Sequence, residues 1–422
     1  MLFNIRPYKL IRALSQALEF STSGLSRHHW RVALIADRLA SHMALAERER
    51  QLLVYASLLH DLGAATNWSE KQRLLAADAS DWKNVHSHAR QGYWLLKDSA
   101  QLGSLAEIIR CHHFAWDGHN GGDRVGKDIP LLSRIINIAD RIEVMLRDDE
   151  DIFSQRPGIL AAIRQGSGTH FDPDLVRGLD ELALQEAFWL DVINIHYHNY
   201  HSLFQSIDDY GHARFNLDDL LNIAGIFASI IDRTSRFTAL HSRAVAQVAA
   251  FLAQVKGYSV NEVKAMRLAG LFHDLGKLAV PPAILEKPDR LSEREFAVIK
   301  QHVYYTYRIL EGIDGFNVIA EWAAYHHETL DGTGYPFRVK EENLRLGSRI
   351  MAVADIYVAL TENRPYRAAL APAKVEQIMR DMAASHKIDA RIVDDLFANR
   401  DAVAALMGEV YEGGAGKTAA PG

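Results

Sequence analysis

Seven imidazole and carboxylate side chains recur at matched spacing in the two halves of the 422-residue sequence. In the first half they are His28, His60, Asp61, His88, His112, His113 and Asp140; in the second they are His241, His273, Asp274, His302, His326, His327 and Asp355. His60 and His273 each stand 32 residues after the first histidine of their set, and each opens a His-Asp-Leu-Gly tetrapeptide. A single His-Asp doublet carries little meaning, although imidazole nitrogen and carboxylate oxygen together suit a borderline divalent ion. Seven such groups among apolar residues would be costly unless they satisfied one another. A metal centre satisfies them, and seven ligands exceed what one ion takes from protein while leaving a position open. Two ions bridged by a carboxylate and a hydroxide fit the count, and such a pair activates water and clamps a phosphoryl group for in-line displacement. The plain alternative is a hydrogen-bonded cluster of buried histidines.

The elements that must position these groups are helices. Val32-Ala33-Ile35-Ala36-Leu39 and Val245-Ala246-Val248-Ala249-Leu252 have helical apolar spacing, and β-type alternation is hard to find. The two segments are also copies of each other. With His28 set on His241, the pattern continues through Tyr93 and Tyr307, Asp117-Gly118 and Asp331-Gly332, and Ser133-Arg134-Ile135 and Ser348-Arg349-Ile350. A tandem duplication of one all-α module follows. The expected boundaries are 1–185 for the first copy, 186–212 for a connecting helix or linker, 213–408 for the second copy and 409–422 for a disordered tail. His196, His198 and His201 in the join read as polar tips of an amphipathic helix. Gly413-Gly414-Ala415-Gly416-Lys417-Thr418 imitates a phosphate loop but lacks its first glycine and a following helix.

Composition narrows the classes. With 48% hydrophobic and 24% charged residues the chain reads as globular. A net charge of -6 argues against broad DNA or RNA binding, which needs a basic surface. The lone cysteine, Cys111, allows no intramolecular disulfide and reads as a small buried residue in a reducing, cytoplasmic setting. No apolar run reaches the roughly 18 residues that span a bilayer.

The repeated pattern of residue types within the chain resembles the HD superfamily of metal-dependent phosphohydrolases, and the second half resembles its HD-GYP branch. His273-Asp274 matches the name-giving doublet, with Gly276-Lys277 behind it. His326-His327-Glu328 followed by Asp331-Gly332-Thr333-Gly334-Tyr335-Pro336 is similar to the signature of the branch, and Asp355 with Arg364-Pro365-Tyr366-Arg367 to its closing motif. The resemblance implies two tandem HD-type helical domains and hydrolysis of cyclic di-GMP, or the related cyclic GMP-AMP, to the linear dinucleotide or GMP. It also implies roles. Asp274 would bridge two ions, with His241, His273 and Asp355 on one and His302, His326 and His327 on the other. Lys277 would hold a phosphate oxygen. Gly334, Tyr335 and Pro336 would form a lid or contact loop, and Arg364 and Arg367 would grip the other phosphate or a guanine edge. Three-metal members carry a glutamate where Phe237 and Gly24 stand here. Two ions are therefore expected in the second copy, iron or manganese by resemblance, although ligand type also admits zinc or nickel.

The first copy keeps its seven ligands, so two more ions can be accommodated there, but it drops the substrate-holding parts. Lys277 becomes Ala64, the Thr-Gly-Tyr-Pro position becomes His119-Asn120-Gly121-Gly122, and Asp149 stands nine residues after Asp140 where Arg364 aligns. The run Asp148-Asp149-Glu150-Asp151 would repel a dianionic ligand. The first copy therefore reads as an accessory or regulatory domain. Two readings compete with the enzyme: a cyclic-dinucleotide receptor with little turnover, and a broader nucleotide phosphohydrolase centred on the first copy. A protein partner at the Gly-Tyr-Pro region and a homodimer are compatible with each.

Overall fold

The computed structural model describes residues 4–20, 27–66, 86–195, 214–233, 240–362 and 369–415. Among them the secondary structure is helical, with two isolated β-bridges and no ladder. The chain divides into an N-terminal unit, Arg6–Arg214, and a C-terminal unit, Phe215–Gly422, which also takes Met1–Ile5.

The N-terminal unit contains α1 (Pro7–Phe20), α2 (His28–His42), α3 (Glu47–Leu59), α4 (His86–Leu96), α5 (Gly103–Arg110), α6 (Leu131–Met145), α7 (Ile152–Gln165), α8 (Pro173–Leu182) and α9 (Glu186–Ile193). The C-terminal unit contains α10 (Leu217–Arg233), α11 (His241–Val255), α12 (Val260–Phe272), the short α13 (Pro282–Leu285), α14 (Glu293–Glu311), α15 (Asn317–Ala324), α16 (Leu346–Thr361), α17 (Pro372–Ala384), α18 (Ala390–Ala398) and α19 (Arg400–Ala415). Apart from α13, the helices correspond one to one in order. In each unit the helix that opens on the first ligand histidine packs against the next helix and against the one that carries the last aspartate: α2 on α3 and α6, and α11 on α12 and α16. Val32, Ala33, Ile35, Ala36 and Leu39 are buried, as are Val245, Ala246, Val248, Ala249 and Leu252, so the duplicated apolar spacing is the core face.

Local sequence sets the helix ends that matter. Ser259 and Glu262 form a reciprocal capping box at the start of α12, and Ser292 and Glu295 do the same for α14. Both α3 and α12 stop at their His-Asp doublets and tighten into 3₁₀ turns, Leu62–Thr66 and Leu275–Ala279.

The structure corrects two boundaries. The proposed link at 186–212 begins with α9, which is integral to the N-terminal unit: Phe188, Trp189 and Val192 are buried against α2 and α7, and the Trp189 indole donates to the Ala183 carbonyl at 3.1 Å. The stretch 409–415 is the end of α19 instead of a disordered tail. Val403, Met407 and Tyr411 continue one face of that helix, and the Tyr411 hydroxyl donates to Glu362 Oε1 at 2.8 Å. His196, His198, His201 and residues 416–422 lie outside the described residues.

Candidate metal centre

In the C-terminal unit the structure brings together all seven of the repeated side chains. They come from the N-terminus of α11 (His241), the end of α12 (His273, Asp274), the middle of α14 (His302), the 3₁₀ turn after α15 (His326, His327) and the third turn of α16 (Asp355). Six are buried and His327 is half-buried. Asp274 lies between two groups. Its Oδ2 is 3.1 Å from His273 Nε2 and 3.9 Å from His241 Nε2, and its Oδ1 is 3.4 Å from His302 Nε2. Asp355 Oδ1 is 3.2 Å from His241 Nε2.

Ring orientation follows from helix geometry. His273, His302 and His326 each use Nδ1 to donate to the carbonyl three residues back, on Gly270 at 2.8 Å, Ile299 at 2.6 Å and Ala323 at 2.7 Å. That bond fixes one tautomer and leaves the Nε2 lone pair facing the centre. These three Nε2 atoms are buried and have no hydrogen-bond partner among the described residues. Buried orphan acceptors are costly, and three of them converging beside a carboxylate fit a divalent cation. Burial pulls His302 down to about 3 and holds His326 well below the usual imidazole range, so both rings are neutral donors. Burial alone would raise Asp274, yet His273, Lys277 and His302 hold it well below the usual carboxylate range. His241 is different: burial lowers it, but Asp355 and Glu362 outweigh that and push it up to about 10.

Glu362 was not singled out by sequence reasoning. Its Oε2 accepts from His241 Nδ1 at 2.9 Å, and Tyr411 holds its other oxygen. Glu328 was quoted only as part of a motif, and its role is now visible. Its carboxylate accepts the backbone N–H groups of Phe337 at 2.7 Å, Arg338 at 3.2 Å and Val339 at 3.0 Å. Tyr335 N–H meets the His327 carbonyl at 3.2 Å. A Cβ at Gly334 would lie 2.5 Å from Glu328 Cα, so only glycine lets this loop press onto the histidine turn. The Gly-Tyr-Pro segment, expected as a lid or contact loop, is therefore clamped against the histidine turn. Tyr335 covers His327 with ring centroids 4.9 Å apart, and Pro336 is half-buried beside it.

Lys277 follows Asp274 by one turn, and its ammonium donates to Asp274 Oδ2 at 2.5 Å. Lysine has three N–H donors, so two remain for an incoming anion. Arg364, Arg367 and Phe237 lie outside the described residues.

The N-terminal unit assembles the corresponding set. Asp61 Oδ2 is 3.4 Å from both His28 Nε2 and His60 Nε2, and Asp61 Oδ1 is 3.2 Å from His88 Nε2. His88 Nε2 lies 3.4 Å from His112 Nε2 and 3.2 Å from His113 Nε2, while Asp140 Oδ1 is 3.4 Å from His28. Glu143 takes the place of Glu362, accepting from His28 Nδ1 at 2.5 Å. Ala64, in the place of Lys277, is buried. The acidic run is less repulsive than its composition suggests. Asp148 pairs with Arg31, Glu150 lies 3.7 Å from Arg147, and Asp151 caps α7 through Ser154 N–H at 2.9 Å, so three of its four carboxylates have partners.

With this geometry in view, comparison with known proteins is specific. HD-domain family matches cover residues 25–145 and 226–392. The chain is 31% identical over 411 residues to a 3'3'-cGAMP-specific phosphodiesterase of Vibrio cholerae, a match spanning 94% of this chain and 92% of that protein. A second 3'3'-cGAMP-specific phosphodiesterase of the same organism is 29% identical over 88% of this chain and 90% of its own length. The cyclic di-GMP phosphodiesterase response regulator of Xanthomonas campestris is 40% identical, but over 30% of this chain and 34% of its own. A crystal structure of a V. cholerae cyclic GMP-AMP-specific phosphodiesterase shares the fold, with a TM-score of 0.63 and 24% identity over 97% of this chain and 98% of that one. Among the described residues no helix is long and apolar enough to cross a membrane.

Proposed function

The chain belongs to the HD-domain family, and from that premise we propose that it is a metal-dependent phosphodiesterase of the HD-GYP type that hydrolyses a cyclic dinucleotide in its C-terminal unit. The preferred substrate in this reading is 3'3'-cGAMP, ahead of cyclic di-GMP. One observation carries that preference: the relatives matched along nearly their whole length, both units included, are cGAMP-specific, whereas the cyclic di-GMP enzyme of X. campestris matches about a third of the chain.

His241, His273, Asp274, His302, His326, His327 and Asp355 would hold two divalent ions, iron or manganese. Bound there, the pair supplies a Lewis acid that activates water and neutralises the phosphodiester. The protein's own part is orientation and charge. Backbone carbonyls fix the rings of His273, His302 and His326, and Glu362 fixes His241. Asp274 faces both groups with its two oxygens. The two spare N–H donors of Lys277 meet a non-bridging phosphate oxygen, and Tyr335, held by the Glu328 clamp, walls the site against water. Arg364 and Arg367 take the second phosphate or a base edge. The N-terminal unit holds ions of its own but, with Ala64 for lysine, acts as an accessory or regulatory domain.

The test is turnover by purified protein loaded with iron or manganese, offered 3'3'-cGAMP and cyclic di-GMP separately, with products resolved by chromatography. A larger kcat/KM for 3'3'-cGAMP and its abolition by Asp274→Ala are expected. Tight binding without product would establish a receptor instead. Loss of activity in Asp61→Ala but not Asp274→Ala would move the chemistry to the first unit.

A further inference from the structure

The two centres differ at one buried position that the seven-residue repeat does not include. Residue 29 follows the first ligand of the N-terminal unit, and residue 242 follows that of the C-terminal unit. Ser242 turns away from its centre: its hydroxyl donates to Asp232 at 2.6 Å and its N–H to the same carboxylate at 3.2 Å. His29 has the equivalent backbone bond, its N–H donating to Glu19 Oε1 at 2.9 Å. Its side chain does something else. The ring is 4% exposed, its Nδ1 is 3.3 Å from Ser15 Oγ, and its Nε2 points inward to within 3.8 Å of Asp61 Oδ2.

That places three imidazole Nε2 atoms around one carboxylate oxygen. His28 and His60 are each 3.4 Å from Asp61 Oδ2, His28 and His60 are 3.2 Å from each other, and the four donor atoms all lie within 4.8 Å of one another. Donors bonded to a tetrahedral ion at about 2.1 Å stand about 3.4 Å apart, so this spacing needs little adjustment to close on an ion. The hydroxyl of Ser15 can accept from Nδ1–H, which leaves the Nε2 lone pair inward. As a mere core residue His29 would be a buried ring with a nitrogen aimed at a carboxylate beyond hydrogen-bond reach.

We propose that His29 is a metal ligand, making one ion site of the N-terminal unit a three-imidazole, carboxylate site (His28, His29, His60, Asp61) that its C-terminal counterpart cannot form. The inference rests on the reading that the N-terminal unit holds ions. A nitrogen-rich set favours cobalt, nickel, zinc or iron over manganese, which suits carboxylate and water. The two centres of one chain therefore differ in metal selectivity, and the N-terminal unit retains a borderline ion under conditions in which manganese exchanges freely.

Cobalt(II) titration of the full, metal-stripped chain tests this, read by elemental analysis and by the visible d–d spectrum, which reports the ligand field and coordination geometry of the bound ion. The variants are His29→Ser, which installs the residue found at 242, His29→Asn, which keeps a polar group near Ser15, and Asp61→Ala. Both His29 variants should weaken one cobalt site at least about tenfold, the scale set by losing even an outer-sphere partner, and shift the spectrum of that site. Circular dichroism melting accompanies each variant, and the asparagine variant is decisive where the serine variant melts early. A wild-type titration and spectrum in a folded His29 variant would overturn the proposal. If Asp61→Ala also left the cobalt count unchanged, the N-terminal unit would hold no metal and the underlying reading would fall with it.

Discussion

Gly276→Ala isolates how backbone packing sets the distance between the two halves of the C-terminal centre. A Cβ on residue 276 would lie 1.9 Å from the His302 carbonyl oxygen and 2.9 Å from Thr306 N. Both are backbone atoms, so no side chain can swing aside, and the turn after α12 and the helix α14 must separate by about 1 Å. Asp274 and His273 ride on the first of these elements and His302 on the second. Overpacking of this kind costs about 1–3 kcal/mol, which in a unit of this size lowers Tm by roughly 3–10 °C. The effect on the site is sharper. Metal–ligand distances tolerate about 0.2 Å, and a 1 Å misplacement of reacting groups can cost about 100-fold in rate. Differential scanning fluorimetry, elemental analysis and turnover of 3'3'-cGAMP measure the three consequences. Gly63→Ala inserts the same lesion in the N-terminal unit, where its Cβ would lie 2.0 Å from the His88 carbonyl. It should disturb metal content while sparing most of the turnover. A Gly276→Ala protein with unchanged Tm, metal content and activity would refute the packing account.

Further outcomes follow from individual contacts. Glu362→Gln should weaken metal binding in the C-terminal centre by about 10–100-fold in a chelator competition, since the carboxylate that orients His241 is lost; Tyr411→Phe should have a smaller effect in the same direction. Lys277→Ala should lower kcat/KM by about 100–1,000-fold with the elemental content unchanged, and Lys277→Arg should restore little because its planar fork does not replace a compact ammonium. Cys111 should resist iodoacetamide at pH 8 in the native protein and react once guanidinium unfolds it, because burial pushes its thiol up to about 12. Above pH 9 the unfolded thiol ionises while the folded one stays protonated, so this group's contribution makes stability fall as pH rises.

Much of the site was legible in the chain because the duplication displays each ligand twice. Helical periodicity predicts an all-helical fold, since an amphipathic helix has no choice but to bury its apolar stripe. The ring orientation of each His-Asp doublet came from the structure, where His60 and His273 donate from Nδ1 to the carbonyl three residues back. What could not be read was whatever the two copies accomplish differently. Glu143 follows Asp140 by one helical turn and Glu362 follows Asp355 by two, so the carboxylates supporting His28 and His241 are not aligned, yet both lie on the face turned to the first histidine. His29 escaped notice for the same reason, because its counterpart is Ser242. The Glu328 clamp turns the glycines of the Gly-Tyr-Pro segment from apparent flexibility into close packing. Residue type and spacing are one-dimensional facts and determined which side chains repeat and converge. Support, closeness and the ordering of α19 depend on which helix faces meet, and only the tertiary structure decided those.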